Sequence, residues 1–251
     1  MSARAVARLE LKRLAVRPFA WTLAALALAF LAWQFLQLLD GFLKVQTRLA
    51  AQADAPGYTD LVAVPLLAAA AQLLLVATPL LTMHALAGER RARTLPLLFA
   101  CGQSPRAIVL GKYLGVLPWL AGILLLAAAM PLALAPATHL DGGKFAAALL
   151  GVALLTATLA AIGVACSAYA SHPALAAAAA FALTLALWAI DAGARAQGVD
   201  NGAINYLAMA THVQPLLRGL VASVDLLYFA LAIALALALA THRLAAERVR
   251  G

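Results

Sequence analysis

The sequence predicts an all-α, polytopic membrane protein with six transmembrane helices, and three observations carry this prediction. The chain has 251 residues, of which 65% are hydrophobic and only 11% are charged, too few charges to cover a water-soluble surface of that size. The charges are gathered into short segments that separate long charge-free intervals. The basic residues are also concentrated on alternate segments, which is the distribution that membrane topology imposes.

The length of each charge-free interval decides the number of spans, because a helix needs roughly 20 apolar residues to cross a bilayer core of about 30 Å. Four intervals each accommodate one span. The interval 145–190 has 46 residues and would be about 69 Å long as one helix, so it must fold back. The turn is marked by Ser171-His172-Pro173, since proline disfavours helix in the residue before it and can open the next helix. The predicted spans are about 19–39, 61–87, 109–135, 146–170, 174–191 and 224–242, within a single transmembrane domain that covers residues 1–251.

Six spans place both termini on one face of the membrane, and the charges identify that face. It carries 13 of the 18 basic residues and three acidic residues, whereas the other face has five basic residues and seven aspartates. Basic loops stay in the cytoplasm, so the N and C termini are expected to be cytoplasmic, with the chain in the inner (plasma) membrane. The net charge of +8 therefore reflects topology in the lipid bilayer, and no nucleic-acid partner is expected, because no contiguous basic surface with base-reading elements is evident.

A charged island, residues 88–112, separates the second and third spans. Its charge-free piece, 94–105, has only 12 residues, about 18 Å as a helix, and is therefore expected to stay on the cytoplasmic side. Thr94 is a good N-cap and Gly102 a good helix end, so one short helix with an apolar surface beside arginines is predicted. From the residues alone, two interpretations stand. The island is a loop whose arginines enforce topology, or it is a helix that inserts into a groove on a partner protein.

The island, GERRARTLPLLFACGQSPRAIVLGK, resembles the segment between the second and third spans of type-2 ATP-binding-cassette (ABC) permeases, where E-R-x-x-G-T-L-x-x-L-L leads through P-x-S to I-V-L-G-K. The basic segment that ends at Pro18 and the stretch THVQPLLRGLVASVDLLYF before the last span are similar to that family too. Arg93 stands where the family usually has glycine, and Gly102 where it usually has proline. The last stretch resembles the small half-size permeases of gliding motility and nitrous-oxide-reductase maturation. The matching positions are Glu89, Arg90, Thr94, Leu95, Leu97, Leu98, Ser104, Ile108, Val109, Leu110, Gly111 and Lys112 in the island, and His212, Arg218, Gly219, Asp225, Tyr228 and Phe229 before the last span.

The resemblance implies that residues 88–108 contain the coupling helix that docks on a separate cytoplasmic ATPase. The chain lacks a G-x-x-x-x-G-K-[ST] phosphate-binding loop, so ATP and Mg are expected to bind to that ATPase, and the chain itself is not expected to be an enzyme. Six spans are half of the family's usual complement, so a second permease copy is expected, identical or different. We expect Leu97 and Leu98 to carry docking. The predicted ATPase-coupling residues are Glu89, Arg90, Arg93, Thr94, Leu95, Leu97, Leu98 and Ser104, with Glu89, Arg90 and Arg93 setting the register of docking.

Residues 192–223, between the fifth and sixth spans, are too interrupted by polar residues to cross the bilayer. They are predicted to form a re-entrant or interfacial pair of short helices on the outer face. His212 and Arg218 are expected to hydrogen-bond inside the protein or, alternatively, to belong to an outer gate. Asp225 suits a helix N-terminus. The residues predicted for the gate or re-entrant element are His212, Arg218, Gly219 and Asp225.

The sequence thus predicts the permease subunit of an ABC transporter, an exporter that couples ATP hydrolysis in its partner to movement of a substrate. The alternative is an ATPase-driven mechanical or assembly subunit that acts on an outer-face or periplasmic partner without transporting a solute. The nearly charge-free spans favour lipid-like cargo or mechanical transmission over import of ions or sugars. A membrane-embedded hydrolase is disfavoured because GQSPR is not G-x-S-x-G and H-E-x-x-H is absent from the sequence. No metal or cofactor site is predicted in this chain, since His84, Cys101 and Cys166 lack the spacing of metal ligands.

Overall fold

The structure is a computed structural model that describes residues 3–49, 56–100, 102–196 and 202–250. These residues form eleven α-helices and one π-helical turn, Thr59–Ala63, and contain no strand. Six helical stretches are long and apolar enough to cross a membrane, which confirms the predicted number of spans. The helices are α1 (Ala3–Val16), α2 (Pro18–Leu49), α3 (Val64–Thr82), α4 (Ala87–Arg91), α5 (Leu95–Ala100), α6 (Pro105–Ala133), α7 (Gly142–Tyr169), α8 (Pro173–Ala196), α9 (Gly202–Leu207), α10 (Met209–Leu217) and α11 (Ser223–Arg250). The six spanning stretches lie in α2, in the stretch from the π-helical turn through α3 and α4, and in α6, α7, α8 and α11.

Prolines and capping side chains determine where the spanning helices begin. α2, α6 and α8 each start with a proline, which fits the first helical position because its missing N–H would have no partner there. The Ser104 hydroxyl accepts from the Ala107 N–H at 3.2 Å at the start of α6. Asp141 accepts from the N–H of Gly143 at 3.0 Å at the start of α7. The proline at 173 opens α8, so α7 and α8 form two spans within the interval that was expected to fold back.

α7 lies at the centre of the bundle, where it packs against α3, α6, α8, α10 and α11. Two glycines permit this close packing. A Cβ at Gly163 would overlap the side chain of Thr82 on α3, and a Cβ at Gly151 would lie 2.7 Å from the Leu216 Cβ on α10. The Thr158 hydroxyl donates to the carbonyl oxygen four residues earlier at 2.9 Å. α7 therefore satisfies this hydroxyl by itself, as a helix in a water-poor interior must.

α1 precedes the first spanning helix and packs along the start of α6. Gly111 and Gly115 of α6 have the spacing typical of close helix contacts. A Cβ on Gly111 would lie 2.5 Å from the Val6 Cβ, and one on Gly115 would lie 2.6 Å from the Glu10 Cβ. Gly111 and Gly115 therefore allow α1 to pack closely against α6.

Hydrogen bonds and ion pairs between distant segments of the chain are found at two ends of the bundle. We call one the charged end; it is formed by α1, α4, α5, the turn between α7 and α8, and the last turns of α11. The opposite end is formed by the π-helical turn, α9, α10 and the first turns of α7 and α11. The first described helix, α1, and the last turns of α11 therefore lie at the same end of the bundle.

Two short helices, α9 and α10, occupy much of the segment predicted as a re-entrant or interfacial element. α8 extends to Ala196, and residues 197–201 of the predicted element lie outside the described residues. α10 ends at Leu217 and is followed by Gly219, whose φ of 87° is in the left-handed region that favours glycine. The chain then enters α11, where Asp225 lies in the first turn.

Candidate functional site at the charged end

The charged end is organised around α4, and a side chain from another helix caps this short helix. The N–H groups of Leu86 and Ala87 donate to the Ser167 hydroxyl oxygen of α7 at 3.0 and 2.9 Å. The same hydroxyl donates to the Met83 carbonyl oxygen at 3.1 Å. Since the residue at the start of α4 provides no side-chain cap of its own, the position of α4 depends on α7.

Glu89 of α4 belongs to a buried charge cluster, which we define as Glu10, Arg13, Glu89 and Lys112. The Lys112 Nζ lies 2.7 Å from Glu89 Oε1 and 2.6 Å from Glu10 Oε2, and the Arg13 guanidinium also pairs with Glu89. The side chains of Lys112 and Glu89 are only 3% and 5% exposed. Two carboxylates face two cations, so the cluster is electrically balanced, as buried charges must be. It joins α1, α4 and α6.

Arg90, the next residue of α4, contacts two further helices. Its guanidinium donates to the carbonyl oxygens of Ala168, at 2.8 Å, and Ala170, at the C-terminal end of α7. It also donates to both carboxylate oxygens of Glu247 on α11, at 2.7 and 3.0 Å. The last carbonyls of a helix have no donors within that helix, so Arg90 caps α7 while it pairs with α11. Adjacent residues of one short helix therefore attach it to α1, α6, α7 and α11.

α4 ends in a Schellman turn centred on Arg93, whose φ of 55° is left-handed. The Thr94 N–H donates to the Glu89 carbonyl oxygen at 3.0 Å, and the Arg93 N–H donates to that of Arg90 at 3.1 Å. Glycine adopts this conformation without steric cost, which gives a physical reason for glycine at this position in the family pattern. The Thr94 hydroxyl donates to the Glu89 carboxylate, so Thr94 links the turn to the buried charge cluster.

α5 presents its leucines in different directions. Leu95 is buried, and Leu98 is partly buried; they belong to an apolar cluster that includes Ile108 of α6 and Leu244 of α11. Leu97 points away from this cluster and is 63% exposed. α5 therefore packs on the bundle by one face and exposes Leu97 on the other.

The residues predicted for ATPase coupling fall into two structural groups, and their coupling role stays a prediction. Arg93 and Leu97 are exposed. The others have defined contacts within the chain that orient α4, α5 or the start of α6. These are Glu89, Arg90, Thr94, Leu95, Leu98 and Ser104.

Sequence reasoning did not identify Glu10, Arg13 and Ser167 as parts of this site. A signal for Glu10 was present, because it is the sole acidic residue among the first 39 residues, in a segment otherwise rich in arginine and lysine. A lone carboxylate in such a segment suggests a buried cation partner. The Ser167 cap left no comparable signal, since hydroxyl residues are scattered through the spans.

At the opposite end, His212 and Asp225 lie together. The His212 Nδ1 is 2.7 Å from Asp225 Oδ1, and its Nε2 is 2.9 Å from the Tyr206 carbonyl oxygen. The imidazole stacks on the Tyr228 ring with 4.0 Å between centroids. Both ring nitrogens of His212 therefore lie within hydrogen-bond distance of an oxygen atom. We call His212, Asp225, Tyr228 and the Tyr206 carbonyl the histidine clamp; it joins α10 to α11.

The other two residues predicted for this element are placed differently. The backbone N–H of Arg218 donates to the Gln214 carbonyl oxygen at 3.1 Å. Its side chain is exposed and, unlike the expectation of an internal hydrogen bond, makes no hydrogen bond or ion pair within the described ranges. Gly219 lies against the Lys144 side chain at the start of α7, so a Cβ there would be crowded as well as strained. Within the same ranges, no group of three or more histidine, cysteine, aspartate or glutamate side chains is placed to hold a metal ion.

The comparisons with known proteins give the family. A search of the curated proteins finds no match to this chain. A family model described as ABC-2 family transporter protein matches residues 36–239, which includes α4, α5 and the histidine clamp. The matched range contains the second to fifth spanning stretches entirely, most of the sixth and only the last part of the first. α1 lies outside the matched residues. A match over this much of the chain, together with the six apolar helices, shows that the chain belongs to the ABC-2 family of transporter permeases.

Proposed function

We propose that the chain is the permease subunit of an ABC exporter and that α4 and α5 form the surface on which a separate cytoplasmic ATPase acts. The observation that carries this proposal is the contrast within α5. Its Leu97 side chain is 63% exposed, while Leu95 and Leu98 attach the helix to the bundle. An exposed apolar anchor on a short helix whose other face packs on the bundle is suited to insertion into a groove on a partner.

Force applied to α5 would reach the spanning helices through α4. Glu89 is held by α1 and α6, and Arg90 is held by α7 and α11. Because these contacts are buried or part-buried and charge-assisted, displacement of α4 would move the ends of four helices together. ATP and Mg would bind to the ATPase, and a second permease copy, identical or different, would complete the assembly.

The proposal places the charged end in the cytoplasm of the cell that holds the chain in its plasma membrane, since basic segments stay inside. Topology reporters inserted at Gly57 and Gly142, both near the opposite end, should then report the outside. Cys101, which lies outside the described residues, should react with a membrane-impermeant thiol reagent only from the cytoplasmic side. Labelling of Cys101 from the exterior alone would contradict this orientation.

The docking role of Leu97 can be tested with substitutions at that one position. Leu97→Asp should weaken the affinity for the ATPase about 30-fold, because a hot-spot anchor contributes about 2 kcal/mol to binding. The loss should be measurable as reduced co-purification of the ATPase. Leu97→Met is the matched control and should preserve both co-purification and ATP hydrolysis. Since Leu97 is exposed, thermal unfolding of the permease should change by less than about 0.5 kcal/mol in either variant. Retention of the ATPase and of full activity by Leu97→Asp would reject Leu97 as the anchor.

A second candidate function is a mechanical or assembly role on an outer-face or periplasmic partner. The spans favour it because they offer few polar groups for a solute: Thr156, Thr158 and Thr184 all donate to carbonyls of their own helices. Capture of an outer-face protein by the assembled complex, with ATP-dependent release and no transported solute, would favour this candidate over the exporter.

A further inference from the structure

α8 and α11 both pack on α7 and leave an apolar groove between them. The wider part of the groove has a volume of 620 Å³, with Ile162 and Ala165 of α7 at its base and Leu183 and Leu235 on its walls. A second part of 390 Å³ continues it toward the charged end. Ala165, Leu183 and Leu239 line both parts, so the groove is continuous.

The two ends of the groove carry polar groups. Tyr206 and Tyr228, the latter a member of the histidine clamp, lie at the opposite end. Tyr169 lies at the charged end, with the Arg243 guanidinium 5.7 Å from its ring centroid. Arg243 is one helical turn beyond Leu239, so its cation is placed at the mouth of the groove.

The Arg243 guanidinium has unused hydrogen-bonding capacity. Its Nη2 is 3.6 Å from Glu247, a carboxylate that already accepts from Arg90 at 2.7 and 3.0 Å. Its Nε is buried and has no hydrogen-bond partner in the described part of the chain. An anionic group at this position would therefore find donors that the chain itself leaves incompletely engaged.

The length of the groove suits a hydrocarbon chain. Between Tyr228 and Arg243, α11 covers about 22 Å at 1.5 Å per residue, and the hydrocarbon of one leaflet, about 15 Å, fits within that length. An acyl chain anchored at the charged end would therefore lie along the apolar walls of the groove.

We propose that this groove binds an acyl chain of an anionic membrane lipid, with the lipid headgroup beside Arg243 and the chain between α8 and α11. The charge of Arg243 selects the anionic headgroup, and the apolar walls hold the chain. The bound lipid fills the space that α8 and α11 leave between them beside α7. The groove is lined by residues of this chain and does not include α5, so the lipid proposal is independent of whether α5 docks on an ATPase.

The test uses the full chain in lipid nanodiscs doped with a phosphatidylglycerol that carries a diazirine near the end of one acyl chain. After photolysis, labelled residues should concentrate on the groove walls of α8 and α11. Ala232→Phe narrows the groove and should sharply reduce this labelling. Ala238→Phe, an exposed position on the same helix that does not line the groove, is the matched control and should leave labelling unchanged.

The headgroup is tested by substitution of the cation. Arg243→Gln should lower groove labelling by the anionic probe about fivefold, since one arginine near an anionic lipid contributes about 1 kcal/mol. Arg243→Lys should restore most of the labelling. A phosphatidylcholine probe with the same tail should respond to Arg243→Gln much less.

Three outcomes would overturn the proposal. Labelling of the exposed face of α2 as strong as that of the groove, and insensitive to Ala232→Phe, would mean that only bulk lipid is detected. Cross-links between two copies through the groove would identify a second chain as its occupant. Equal loss of both probes in Arg243→Gln would remove the headgroup assignment. Thermal unfolding of each variant shows whether it is folded, and Leu183→Trp provides a second groove-filling variant should Ala232→Phe unfold.

Discussion

The charged end and the opposite end of the bundle are held by different kinds of contact. At the charged end, Glu89 and Arg90 of one short helix engage four other helices through buried or part-buried ion pairs. At the opposite end, the histidine clamp joins α10 to α11, and a more exposed ion pair joins Lys144 to Asp60. Because the charged-end contacts share partners, we expect that end to move as one unit and the opposite end to open more locally.

The largest expected effect that tests this comparison is at Lys112. Lys112→Met leaves the Glu10 and Glu89 carboxylates buried with only Arg13 as a cation, so unfolding should become easier by about 3–5 kcal/mol. Thermal or denaturant unfolding of the purified chain measures the change. The double variant Glu10→Gln/Lys112→Met removes one charge of each sign from the cluster and should recover part of the loss.

A change of less than about 1 kcal/mol in Lys112→Met would show that the buried charge cluster does not hold the charged end together. Hydrogen exchange adds a spatial test. The variant should expose α1 and α4 to exchange while the amides of α9 and α10 remain as protected as in the unchanged chain.

A smaller effect is expected at the histidine clamp. His212→Phe keeps a ring against Tyr228 but leaves Asp225 without its donor, which should cost about 1–3 kcal/mol. Asp225→Asn is the matched variant and should destabilise the chain less than His212→Phe. Its neutral side chain can stay buried at a lower free-energy cost than an unpaired carboxylate. Hydrogen exchange should rise in α9 and α10 and remain unchanged in α4. Increased exchange at both ends would contradict the proposed independence of the opposite end.

The smallest expected effect is at Arg93, where the charged end contains a left-handed residue. Arg93→Gly removes a steric cost of about 1–2 kcal/mol but adds up to about 1 kcal/mol of unfolded-state entropy, so stability should rise slightly or stay constant. Arg93→Val should destabilise instead, because a β-branched residue tolerates this φ poorly. The two free energies of unfolding provide the measurement. Equal stability of the two variants would mean that the turn after α4 relaxes without cost.

Much of the fold followed from local properties of the sequence. The interval 145–190 was too long for one span, and Pro173 opens α8 where the turn was expected. The length of a charge-free interval and the position of a proline are local properties of the sequence, so their effect on helix boundaries can be predicted without a structure. The short helix after Thr94 belongs to the same class of prediction, and the structure has α5 there.

The arrangement of the site could not be predicted in the same way. Glu89 and Arg90 were expected to set the register of docking on a partner, and that role stays a prediction. The sequence did not predict that both side chains would also have partners on other helices of the chain. Glu89 and Lys112 are 23 positions apart, and Arg90 and Glu247 are 157 apart. No pattern of spacing encodes such pairs, because they form only when the helices have packed.

By itself, the sequence determined that this chain has six apolar helices and one charged island, since hydropathy and charge act through the cost of placing each segment in lipid. The tertiary structure decided which face of α5 remains free, which charges neutralise one another at the charged end, and where α8 and α11 separate to leave a groove. Those features depend on the directions of side chains from distant segments. Such directions are set by the packing of helix on helix around α7.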